Sequence, residues 1–145
     1  MASGSINIAA LLDRIAEERR QENLLPGWTA WIAHCELPWK NDVKPGRPWC
    51  RGRLHAARSI WFPRTTKRPS SRAPDAVFSP AGQLPALTRD GWFLANAYLV
   101  RARDYAPEPY LCDAFGVLPE GMVNALHERL QSPELLRRLQ KETVR

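Results

Sequence analysis

The chain has 145 residues, 44% of them hydrophobic, with a formal charge of +6 and three cysteines. That length suits one domain, able to bury roughly two-thirds of its unfolded surface without disulfide or metal staples, and the composition excludes a wholly disordered chain. No apolar run approaches the roughly 20 residues a membrane-spanning helix needs, and the eight glycines nowhere cluster into a phosphate-binding loop.

In chain order, Ser5 to Asn23 predicts an amphipathic helix, because Ile8, Leu11, Leu12 and Ile15 fall on one face opposite Arg14 and Glu18. Ser5 is its candidate cap, and Pro26-Gly27 ends it. Gly27 to Leu37 and Ala57 to Phe62 are short, aromatic and bounded by glycine or proline, which predicts strands. Between them, Lys40 to Gly52 contains Pro45-Gly46 and Pro48 and reads as an exposed loop. Residues 63 to 75 hold almost no large apolar side chain and read as a flexible basic arm.

Ala76 to Leu87 has hairpin chemistry around Ser79-Pro80-Ala81-Gly82. From Thr88 the pattern turns helical, with Trp92, Ala95, Leu99 and Ala102 on one face. A short helix is predicted over Pro109 to Val117 and a longer one over Pro119 to Gln131. Ser132-Pro133-Glu134 starts a last helix with a cap, a first-turn proline and an early acid. The expected fold is α+β: a mainly helical single domain with a small antiparallel sheet in the middle, an N-terminal amphipathic helix and a C-terminal helical cluster.

The positive charge is concentrated. Residues 38 to 72 hold Lys40, Lys44, Arg47, Arg51, Arg53, Arg58, Arg64, Lys67, Arg68 and Arg72 against Asp42 alone. Trp39, Trp49 and Trp61 are interleaved with them. Clustered cations speed encounter with anions and release counterions from a nucleic acid. Guanidinium groups add forked hydrogen bonding to phosphate or carboxylate, and flat rings add stacking on bases. The segment therefore predicts a polyanionic partner, DNA or RNA, with an acidic protein surface as the alternative.

Tyr110 to Leu126 places Cys112, Gly116, Val117, Met122 and Ala125 near the packing and turn positions of a two-helix DNA reader, and Asn124 and Arg129 on the face that would read or grip DNA. In that general form the segment resembles a helix-turn-helix unit, which implies a DNA-reading role for those residues.

Other chemistry is thinly supported. His34, Cys35, Cys50 and His55 lack the paired spacing of a zinc site, so no metal is predicted, and no cofactor. Cys50 beside Arg51 and His55 has no recognisable orienting acid, and Asp104, Glu108 and Asp113 match no nuclease spacing. Three scattered cysteines suit a reducing compartment, which predicts a cytoplasmic protein without membrane attachment. The functional expectation is a non-enzymatic, nucleic-acid-associated accessory or regulatory protein of a bacterium or its mobile elements. The alternatives are a protein-binding inhibitor or adaptor and, third, a small nuclease.

Overall fold

The computed structural model describes residues 7–33, 46–69, 75–107 and 112–143. Its elements in order are α1 (Ile8–Glu22), β1 (Trp28–Ile32), β2 (Arg47–His55), β3 (Arg58–Thr65), β4 (Ala76–Ser79), β5 (Gly91–Leu94), a 3-10 turn (Ala95–Ala97), β6 (Leu99–Ala102), β7 (Cys112–Val117), α2 (Glu120–Leu130) and α3 (Pro133–Thr143). The expectation of a mainly helical domain is overturned, because the dominant element is a seven-stranded antiparallel sheet. Its order is β4-β5-β3-β2-β1-β7, and β6 pairs with β3 off that path. The outer edge of β3 is thus shared: Arg58 to Trp61 pair with β6, and Arg64 and Thr65 with β5.

Both faces of the sheet carry core. On one, Cys50, Ile60, Phe62 and Phe93 pack with Leu126 and Leu130 of α2 and Leu135 and Leu139 of α3. On the other, Trp28, Ala30, Ile32, Trp49 and Trp61 pack with Leu99, Tyr105 and Cys112. Trp61 stands edge-on to Trp28 at 6.0 Å and to Tyr105 at 5.7 Å. Its indole N–H donates to Ser59 Oγ at 3.1 Å, and that hydroxyl donates to Ala102 O at 2.8 Å, so the buried polar atoms are satisfied.

Two local devices shape the central hairpin. β2 and β3 turn through Ala56 and Ala57, at φ 49° and 61° between the paired His55 and Arg58. Positive φ at both central residues is the type I′ geometry that matches strand twist, although alanine pays a steric penalty there. Further along, the register runs from Arg51↔Trp61 to Leu54↔Ser59, which inserts one extra residue in β2. This bulge frees the Arg53 N–H from the ladder, and it donates instead to His127 Nε2 of α2 at 2.8 Å. A Cβ on Gly52 would lie 2.7 Å from Phe62 Cε2 and 2.9 Å from the same His127 nitrogen, so only glycine admits the contact.

The opening helix, the strands around Trp28 and Ile60, and the last two helices form where the residue patterns place them. Asn7 caps α1, its Oδ1 accepting from Ala10 N at 3.1 Å, whereas Ser5 lies outside the described residues. Ser132 caps α3 through Leu135 N at 3.4 Å. Four expectations fail. Within the expected loop of residues 40 to 52, Arg47 onward is strand. The second arm of the 76 to 87 hairpin is turn, and β4 pairs with β5 instead. The helix expected from Thr88 is β5, the 3-10 turn and β6, since Gly91, Phe93 and Ala95 are buried in strict alternation with less buried Trp92 and Leu94. Finally, Cys112 to Val117, expected as helix, is β7, which pairs with β1.

Candidate nucleic-acid interface

The described cations of the basic segment divide by burial. Arg51 is 2% exposed and Arg64 4%. Arg51 donates to the Tyr105 and Arg103 carbonyls at 2.7 and 2.6 Å, and its guanidinium lies 5.2 Å from the Trp61 ring centre. Arg64 donates to Ser79 Oγ, Ser79 O and Arg89 O at 3.2, 3.0 and 2.7 Å. Burial lowers the pKa of both, with Asp104 and Asp90 respectively opposing it. These two side chains bridge loop carbonyls to the sheet and do not face solvent.

Arg53 is half-buried, hydrogen-bonded to Asn124 Oδ1 and 3.6 Å from Glu120. Arg47 and Arg58 are half-buried at the starts of β2 and β3, and Lys67 and Arg68 are exposed just beyond β3. Trp49 and Trp61 are fully buried and offer no face for stacking. Trp39, Lys40, Lys44 and Arg72 lie outside the described residues, as do residues 70–74 of the expected arm, whose Pro63 to Thr65 belong to β3.

The helix-turn-helix expectation also fails on geometry. Cys112 and Gly116 are in strand β7, so Met122, Asn124 and Arg129 sit on a helix preceded by a strand. Met122 packs against the core, Asn124 accepts from Arg53, and Arg129 donates to Ala125 O at 3.0 Å. Beside them His127 is held neutral at Nε2, its pKa pushed down to about 4 by burial, Arg53 and His55. Burial pushes the Cys50 thiol up to about 12, the opposite of an activated thiolate.

The aromatic surface that is open lies where β3, β4 and β5 meet. Thr65, Trp92 and Phe78 are in register across the three strands and therefore share one face. Phe78 is 49% exposed, Trp92 is half-buried, and their ring centres are 5.6 Å apart. Thr65 Oγ1 accepts from Lys67 N at 3.1 Å, turning the chain so that Lys67 and Arg68 leave β3 beside this pair. On the opposite face, Trp31 (42% exposed), Phe115, Arg89, Thr66 and Thr88 line a cavity of about 190 Å³ floored by Arg64.

Sequence reasoning missed Trp31, Phe78, Arg89, Trp92 and Phe115. Adjacent aromatics in a strand point to opposite faces, but both faces of this sheet carry core and the neighbouring Trp61-Phe62 pair is buried on both, so alternation alone could not single out Trp92. No known family model matches the chain, nor does any curated protein. No described helix is long and apolar enough to cross a membrane.

Proposed function

We propose that this chain is a non-enzymatic binding protein for single-stranded nucleic acid, acting in an accessory or regulatory capacity. The observation that carries the reading is the open cross-strand pair of Phe78 and Trp92 beside exposed Lys67 and Arg68. A sheet face bearing rings with cations at its margin suits a strand whose bases are unstacked: each base stacked on a ring contributes about 1–3 kcal/mol, and each cation neutralises a phosphate. Arg89 and the cavity at Trp31 offer a cation and rings of the same kind on the opposite face of the sheet.

The alternative, an adaptor or inhibitor that docks on an acidic protein, uses the cations but has no need of exposed rings. Fluorescence anisotropy with labelled single-stranded and duplex oligonucleotides at several salt concentrations separates the two. Phe78→Ala and Trp92→Ala each weaken single-strand binding by about tenfold, the low to middle range of one lost stack. Lys67→Glu with Arg68→Glu flattens the salt dependence by roughly 0.7 in log–log slope per phosphate contact removed. Absence of binding at low salt refutes the reading. Polyglutamate binding as tightly as the oligonucleotide, with the ring variants neutral, favours the adaptor.

A further inference from the structure

Helix α1 presents Ile8, Leu11, Leu12 and Ile15 at 67%, 44%, 58% and 36% exposure. The i, i+3, i+4, i+7 spacing puts all four on one stripe, and none belongs to either core of the described residues. A 15-residue helix is marginal in water by itself, so such a stripe calls for a cover. At the foot of α1 lies a second apolar surface. Leu24, Leu25 and Val117 are 44%, 48% and 38% exposed, and Leu25, Val117, Leu118 and Val123 line a cleft of about 400 Å³ with Arg53 and Glu120.

We infer that a second copy of this chain covers both surfaces, by reciprocal exchange in which the α1 stripe of each protomer seats on the Leu25–Val117 cleft of the other. Area decides between this and a simple α1–α1 pairing. The stripe exposes roughly two whole aliphatic side chains, on the order of 350 Å², against the about 800 Å² per partner of a stable interface. Adding Leu24, Leu25 and Val117 raises the apolar share to on the order of 600 Å². With the polar rim that makes up about two-fifths of an interface, this reaches the required size. A two-fold exchange also uses every one of these side chains in both protomers. Charge permits the approach: α1 carries four acids and three arginines in a chain of net +6, so it meets the body of a second copy without repulsion.

Sedimentation equilibrium over a range of protein concentrations tests this with two variants at exposed positions, Leu12→Glu on the stripe and Leu25→Lys with Val117→Lys at the cleft. Circular dichroism and thermal melting report whether each variant is folded. The expected result is a wild-type dimer whose dissociation constant rises about a hundredfold in either variant, since each change removes two symmetry-related contacts. Mixing the two variants restores association, because the intact stripe of one meets the intact cleft of the other. A wild-type protein monomeric at all concentrations overturns the inference and assigns the stripe to a different protein. A dimer indifferent to the cleft substitutions, or variants that do not complement, overturns the exchange.

Discussion

Replacing His127 with glutamine should remove a specific part of the acid sensitivity of this fold. In the native state the ring must be neutral, because Nε2 accepts the bulge N–H of Arg53, while burial and the Arg53 charge oppose protonation. The proton therefore binds the unfolded chain near pH 6.5 but the folded chain only near pH 4. Between those values the unfolded state holds more protons, so stability is complete above about 6.5 and falls as pH drops towards 4. The full shift corresponds to about 3 kcal/mol, which partial exposure of the ring reduces to about 1–2 kcal/mol. Glutamine offers an amide oxygen to the same N–H and has no proton to gain. Urea unfolding of both proteins at intervals from pH 7.5 to 4 measures the effect as a difference, which cancels the carboxylates common to both. The difference in stability between wild type and variant should move against wild type by about 1–2 kcal/mol as pH falls from 6.5 towards 4, whatever its value at neutral pH. Parallel curves across that window would refute the neutral-acceptor role of His127.

Other outcomes follow from the same geometry. Gly91→Ala brings a Cβ to 2.6 Å from Arg64 Cζ and 2.8 Å from Thr65 O, and should destabilise the protein by about 2–4 kcal/mol in denaturant titration. Ala56→Asn with Ala57→Gly relieves left-handed alanine at the β2–β3 turn and should raise stability by about 1 kcal/mol, visible as a higher melting temperature. Arg51→Met leaves the Tyr105 and Arg103 carbonyls without their donor and should lower stability by about 2–4 kcal/mol, with the largest gain in hydrogen exchange at residues 103–105.

The residues readable from sequence were those whose signal is local. Pro26-Gly27, Ser132 and Pro133 mark helix ends by their own chemistry, and the stripe from Ile8 to Ile15 has only one periodic interpretation, whereas the cap of α1 was read as Ser5 and the structure uses Asn7. The strands after Gly91 were obscured because Trp92, Phe93, Leu94 and Ala95 are all apolar, and a run apolar on both parities fits period 2 and period 3.6 alike. β7 was obscured for another reason: Cys112 to Val117 mixes polar and small residues, and only pairing with β1 makes it a strand. The pro-rich stretch containing Arg47 and Pro48 looked like loop, yet Pro48 is accommodated opposite Trp31 in β2. At the candidate site, the cations at Lys67 and Arg68 were legible, but not the rings beside them, because ring exposure depends on which strand parity faces the core.

The buried arginines show that charge density along the chain does not report which cations reach the surface. Arg51 and Arg64 sit in strands, where a long side chain can lie along the sheet and place its donors on carbonyls of loops that cross it. Between them they satisfy four carbonyls, in the 103–105 turn, at Ser79 and at Arg89. A lysine could not bridge in this way, because its point charge lacks the planar fork. Of the three tryptophans assigned to stacking, Trp49 and Trp61 are buried, Trp61 beneath Arg51 as part of that support, and Trp39 lies outside the described residues, while the half-buried Trp92 belongs to the stretch expected as helix. Part of the arginine excess of residues 38 to 72 therefore stabilises loops on the sheet, and the charge left to meet a partner is smaller and more localised than the count implies. Its position at the end of β3 is set by the paired register of Thr65, Trp92 and Phe78, which is why rings and cations arrive at the same corner.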